Sequence, residues 1–429
     1  MFKPRLGVAG ILLLTSMSGL ASCQCETLEG GTPSADATTE NPDGGAVAAL
    51  QWPSTSVDLP GAAAPAIART ASNKVVLAFA RDSKVWSLAN PTPGAVPVEL
   101  GAPIAAIDFH PQIRLAADPT SERIMVLWNN GSFIQTLAGI PDGTQGQLTQ
   151  APMIYNATHF DLRWSGGRPV GTVLSSSDNR LRHYAFDLGD GDLLPLPTTL
   201  PTAATLADDG LRAWYYDMAP TLIGLSGGRA LLFFNASDDG RVARYLRLER
   251  DPSVATGDPA WLVPQSSGTL TLPPGASTSV DWVQIHPLDQ TGSRAALTWA
   301  EVAPMSQVFD VHLALLDLSA DGTPSLSAAA AVNVSNTGGQ TDNSDMPIVK
   351  PAGDGRIWVA WREANGGPRV ALYDNALHRL GIAAPPTELR VRTDSALAAE
   401  VDGVGTLHLA AVVQPGNEPE VRYWVLARP

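Results

Sequence analysis

Three stretches of this sequence set aromatic and ionisable side chains close enough together to do chemistry. "RAWYYDM" places Trp214, Tyr215 and Tyr216 beside Asp217, "SVDW" places Asp281 beside Trp282, and "WREANGG" carries Arg362 and Glu363. Adjacent aromatics next to charge stack on sugar rings or anchor a protein partner, because they bury large rigid surfaces while keeping a polar handle. Trp214, Tyr215, Tyr216, Asp217, Trp282, Arg362 and Glu363 are therefore the candidate ligand-binding residues, although the aromatics could equally plug the space between packed sheets. The carboxylates Asp217, Asp281 and Glu363 also admit an acid and base pair for glycan cleavage, which requires two carboxyl groups roughly 5 to 10 Å apart in one pocket.

Other catalytic patterns are missing. There is no phosphate-cradling glycine loop and no HExxH. The seven histidines (His110, His159, His183, His286, His312, His378 and His408) are dispersed and read as structural or surface groups. Two acidic runs, "DLGDGD" (Asp187, Asp190, Asp192) and "TDNSDMP" (Asp342, Asn343, Asp345), have oxygen ligands suited to calcium but not the spacing of an EF-hand, and read better as turns. The sequence thus calls for no metal and no cofactor. With 28 basic against 42 acidic residues and a net charge of −14, it offers no basic surface for nucleic acid.

The remaining reactive groups are two thiols, Cys23 and Cys25, close to the start of the chain. The segment before them has a basic start (Lys3, Arg5), an apolar core from Leu6 to Leu14 and then small or polar residues, the tripartite pattern of a secretory signal. Its apolar part is too short for a stable membrane-spanning helix, and no later run supplies about 18 uninterrupted apolar residues. Leu20, Ala21, Ser22 and Cys23 resemble the lipobox of bacterial lipoproteins. That resemblance implies a diacylglyceryl thioether on Cys23, cleavage before it and acylation of the new N-terminus, an anchor of several acyl chains at roughly 0.8 kcal/mol per buried CH₂. Gln24, standing where Asp would retain an enteric lipoprotein at the inner membrane, favours the outer membrane by analogy. Cys25 is left a lone thiol. Residues 1–22 then form the signal peptide and residues 23–45 a lipidated flexible tether. The tether has too few apolar side chains to fold, and its last 20 residues or so reach roughly 25 Å.

Residues 46–429 must supply the elements that position the candidate side chains. Here apolar runs come in pairs about tight turns, as in "KVVLAFARDSKVWSLAN" and "RIWVAWREANGGPRVALYD". The pairs begin near Lys74, Arg123, Arg168, Arg229, Arg294, Arg356 and Thr406, roughly 45 to 65 residues apart. Several have a preceding strand ("PAIART", "PQIRLAAD", "HFDLRWSGG", "PTLIGLSGG", "MPIVKPAGDG"), and some a following one ("VPVEL", "DLLPLP", "TELRVRT"). About four strands per unit at this period predict an all-β chain, a single β-propeller of seven four-stranded blades. A pair of β-sandwiches is the competing architecture. The last unit stops at "YWVLARP" without an outer strand, so the segment Val47 to Pro60 is expected to close the ring by pairing with it. The units around Ala204 to Gln265 and Thr271 to Thr337 are long enough to hold an extra strand.

The strand pattern is faintly similar to that of sialidase-like propellers. However, the Ser-x-Asp-x-Gly-x-x-Trp turns and the Arg-Ile-Pro string of that family are missing, as are WD-type and kelch-type signatures, so no activity carries over. The reading this supports is a lipid-anchored envelope module that binds or scaffolds protein or glycan, with a glycan-active hydrolase or lyase as the alternative.

Overall fold

The computed structural model describes the chain from Leu50 to Pro429, apart from residues 104–112, 130–133, 140–147, 150–156, 166, 176–180, 186–220, 226–228, 236–241, 251–261, 274–279, 290, 303–307, 328–330, 336–343, 364–366, 387–388, 390, 392–396 and 416–417. The described residues form seven antiparallel sheets and no helix. The inner strand of each sheet is its first in the chain or, in the last sheet, the one that follows the sixth. In order these are Ala63–Arg69, Ile113–Ala117, Ala157–Ser165, Thr221–Leu225, Val280–Pro287, Ser344–Gly353 and Ala398–Val401. Each touches the next, and the seventh touches the first, so the sheets close into a ring about one axis. The chain is a β-propeller.

The "preceding strands" of the sequence are these inner strands, and the paired strands follow them outward. "KVVLAFARDSKVWSLAN" becomes Val75–Arg81 and Lys84–Ala89, joined through Asp82 and Ser83 with φ of 52° and 59°. Both residues of this two-residue hairpin lie in the left-handed region that such a turn requires. Strands inside the ring are buried on both faces, which is why they read as continuous apolar runs. In Leu407–Val413 every residue is buried. Leu407, Leu409, Ala411 and Val413 pack on the sixth sheet with Trp358, Ala360, Val370 and Leu372. Ala410 and Val412 pack the other way, on Leu77 and Phe79 of the first sheet. At roughly 1.5–3 kcal/mol per buried large side chain, this two-sided burial is what holds neighbouring sheets together.

Val57–Pro60 pairs antiparallel with Glu420–Leu426, Val57 opposite Tyr423 and Leu59 opposite Val421, and becomes the outer strand of the seventh sheet. Trp52 stacks edge-on against Trp424 at 5.4 Å. The chain ends thereby cover each other's sheet edge, as the missing outer strand of "YWVLARP" requires. In the fifth sheet Val332–Asn333 pairs with Phe309–Leu318 beside Pro324–Leu326, the additional strand that the length of this unit allows.

One strand assignment is corrected. "TELRVRT" does not supply the outer strand of the sixth sheet; Arg379–Ala383 does. The Asp374 carboxylate accepts hydrogen bonds from the Ala376 and His378 amides at 2.9 and 2.8 Å, and this turns the chain directly back along Gly367–Tyr373. Val391 of "TELRVRT" makes only an isolated bridge to Val413 of the seventh sheet.

Candidate functional site

The ring has an upper mouth, where the inner strands begin, and a lower mouth, where they turn into the second strands. Trp282, Arg362 and Glu363 all lie at the upper mouth. Trp282 sits in a bulge of its inner strand, where the register jumps between Asp281 and Gln284, and its φ of 50° is one that a bulky residue adopts only under constraint. Met346 and Ala64, each with φ of 51°, occupy the same bulge in the sixth and first sheets. The bulge turns the half-buried Trp282 indole onto Phe309, edge to face at 5.2 Å.

Arg362 and Glu363 are placed differently. Arg362 is buried and grips Asp345 with two parallel hydrogen bonds, Nε to Oδ1 at 2.6 Å and Nη2 to Oδ2. The two residues are register partners of adjoining strands, so the pair staples the sixth sheet at its upper end. Glu363 accepts a 2.6 Å hydrogen bond from Arg369 Nε. Trp214, Tyr215, Tyr216 and Asp217 lie outside the described residues, as do Cys23, Asp187, Asp190, Asp192, Asp342 and Asn343. Among the described residues no group of three or more His, Cys, Asp or Glu is placed to hold a metal ion.

The axis of the ring carries a feature built from residues distant in sequence. Arg114, Asp161, Arg163, His286, Lys350 and Glu400 come from the inner strands of the second, third, fifth, sixth and seventh sheets. Asp161 Oδ2 accepts the Leu222 amide of the fourth sheet at 2.9 Å and lies 3.4 Å from Arg163 Nη2, while its Oδ1 lies 3.8 Å from Arg114 Nε. Arg163 Nε donates to the Leu222 carbonyl at 3.0 Å. On the other side Lys350 Nζ donates to Glu400 Oε2 at 2.8 Å. His286 Nδ1 faces the Pro287 carbonyl at 3.0 Å and so carries the proton, because a carbonyl can only accept.

These groups feel each other across the axis. Burial first, and then the Lys350 ammonium, hold His286 down to about 3 against the opposing pull of Glu400, so it is neutral at physiological pH. Arg163, two sheets away, adds to this depression, a reach that only the shared axis permits. Burial alone would raise Glu400, but the Lys350 charge, His286 and the Lys350 hydrogen bond outweigh it and hold the carboxyl at about 2. Arg114 is pushed down by burial, opposed by Asp161 and reinforced by Arg163.

Below this belt, at the lower mouth, a cavity of about 330 Å³ lies among the turns of the second to fifth sheets. Trp164, Ser165, Leu225 and Pro287 form its inner wall, with Asp118 and Asp289 at its rim. Burial alone would raise Asp289, but hydrogen bonds from Thr291 and Ser293 hold it at about 2, so this rim carboxylate is ionised and tied into its turn.

No family model matches the chain, and no curated protein matches it significantly. Solved structures similar to it include the β-propeller domain of Nup133 from Vanderwaltozyma polyspora, at 10% identity over 87% of this chain and 96% of that one, with a TM-score of 0.48. A Swd1 β-propeller domain from Myceliophteria thermophila shares 11% identity over 86% and 98%, TM-score 0.47. The BP39L lectin from Burkholderia pseudomallei shares 13% over 84% and 98%, TM-score 0.46.

Neither the belt nor the cavity is among the sequence candidates. The belt's trace in the sequence is ionisable residues set among apolar ones in inner strands: Arg114 in "IRLAA", Asp161 and Arg163 in "FDLRW", Lys350 in "PIVKP" and Glu400 in "AAEV".

Proposed function

We propose that this chain is a bacterial envelope lipoprotein, anchored through lipid on Cys23, with the outer membrane favoured, whose propeller is a binding or scaffold module for protein or glycan. The observation that carries the binding reading is the aromatic pair at the upper mouth. At the upper mouth the ligand patch centres on Trp282 against Phe309, an aromatic pair held by a constrained bulge; Trp214, Tyr215, Tyr216 and Asp217 are assigned to the same patch from the sequence, with Arg362 and Glu363 as its polar border.

Two measurements on the full-length chain test this. Cys23→Ser should move the protein out of the membrane fraction and block lipid labelling; unchanged fractionation would overturn the anchor. Trp282→Ala should abolish recovery of whatever glycan or cross-linked protein the wild type retains while leaving the melting temperature within a few degrees. Equal recovery by the variant would sink the upper-mouth patch. Turnover of a glycan substrate would establish the hydrolase or lyase reading instead.

A further inference from the structure

We propose that the axis of the propeller is a binding site for a small oxyanion, held by the guanidinium groups of Arg114 and Arg163. Three observations converge on it. The first is charge. Among the described residues the belt sets three cations, Arg114, Arg163 and Lys350, against two carboxylates, Asp161 and Glu400, in a chain whose net charge is −14. Lys350 and Glu400 neutralise one another directly at 2.8 Å, so the surplus lies with the two arginines, which share Asp161.

The second is the poor satisfaction of that shared carboxylate and of Arg114. Asp161 Oδ1 is buried with no hydrogen-bond partner, and Arg114 Nε approaches it only to 3.8 Å. Among the described residues the one hydrogen bond of Arg114 goes from Nη1 to the Ile113 carbonyl at 3.1 Å. Arg163 is better held, through Leu222 and Leu162 carbonyls at 3.0 and 3.3 Å. A guanidinium offers five N–H donors in a planar fork, and most of those on Arg114 find no acceptor among the described residues. Because the side chain is partly open, those donors are left to water or to an anion that completes the set.

The third is access. Although they stand on inner strands, Arg114 and Arg163 keep 23% and 30% of their side-chain surface open, whereas Asp161 keeps 2%. The carboxylate therefore lies behind the guanidiniums, and the open side presents N–H donors. The residues that follow Arg163 and His286 along their strands, Trp164 and Pro287, line the lower-mouth cavity. Neutral His286 neither repels an anion nor competes for it. A phosphate or carboxylate group matches the fork in geometry and charge.

The test is titration of the full-length protein with inorganic phosphate and, separately, acetate, at constant ionic strength made up with chloride, read by calorimetry and by the melting temperature. Saturable binding of at least one oxyanion is expected, and the stronger of the two tells whether the natural ligand carries a phosphate or a carboxylate. Arg114→Gln should weaken it by tenfold or more, the loss of hydrogen bonds to a charged group. Asp161→Asn, which removes the competing carboxylate, should tighten it by about tenfold. If Arg114→Gln does not fold, Arg114→Lys keeps the charge without the fork and should weaken binding severalfold. No saturable binding of either anion, unchanged affinity in the Arg114 variant, or weaker binding in Asp161→Asn would each overturn the site.

Discussion

Replacing Glu400 by Gln removes the one carboxylate that, among the described residues, pairs with Lys350 at the axis and leaves an ammonium with a tenth of its side-chain surface exposed. A carboxyl that ordinarily titrates at 4.5 and is held at about 2 owes that difference to interactions made only in the folded state. At ~1.36 kcal/mol per pH unit, the ionised group contributes about 3 kcal/mol at neutral pH. Breaking a buried ion pair from one side costs about 3–5 kcal/mol in general, and Glu400 keeps a fifth of its side chain exposed, so the lower end applies. Because the value is lowered on folding, the contribution is complete above the unfolded-state value near 4.5 and is lost as the pH falls toward 2. Urea denaturation of wild type and Glu400→Gln should therefore differ by about 3 kcal/mol at pH 7 and by about 1 kcal/mol at pH 3. The double variant Lys350→Met with Glu400→Leu should recover most of the loss, since a well-packed apolar pair can replace a buried ionic one. A deficit that stays constant from pH 7 to pH 3, or that is below about 1 kcal/mol at pH 7, would refute the ion-pair reasoning.

Three further outcomes follow from the packing. Gly405→Ala should lower stability by about 2 kcal/mol or more in thermal denaturation, because φ there is +88° and a Cβ would stand 2.4 Å from the Ala352 carbonyl oxygen; a wild-type melting temperature would count against the tight turn. Trp358→Phe should cost about 1–3 kcal/mol in urea titration, since it deletes the buried 3.0 Å hydrogen bond from Trp358 Nε1 to the Gly405 carbonyl and leaves that oxygen unpaired. A chain lacking residues 50–60 uncovers the edge of Glu420–Leu426 and should self-associate in light scattering; a monomer as stable as the full chain would mean that the ring does not depend on this strand.

The legibility of the fold and the obscurity of its axis have the same cause. A strand such as "LHLAAVV" is written for burial on both faces, and its length, turns and period can be read locally, so the sheets and even the strand that closes the ring are visible as pattern. "TELRVRT" misled because alternating apolar residues specify an extended segment but not its neighbour, and Asp374 had already turned a nearer segment into place. Trp282 was legible as a residue type, whereas the bulge that aims it depends on a register jump against Arg294–Val302 that no local pattern records. Arg114, Asp161, Arg163, Lys350 and Glu400 were legible only as departures from apolar inner strands, two of them on one strand. Each alone would be an expensive charge in a core. Closure of the ring converts them into a group, because seven inner strands share one axis and a charge on any of them can be answered by another 50 residues away, as Lys350 is by Glu400. Ionisable residues recurring in the otherwise apolar innermost strands of propeller units are therefore the sequence signal to seek, and the imbalance of such charges around the axis, here in favour of arginine, predicts the sign of what the axis holds.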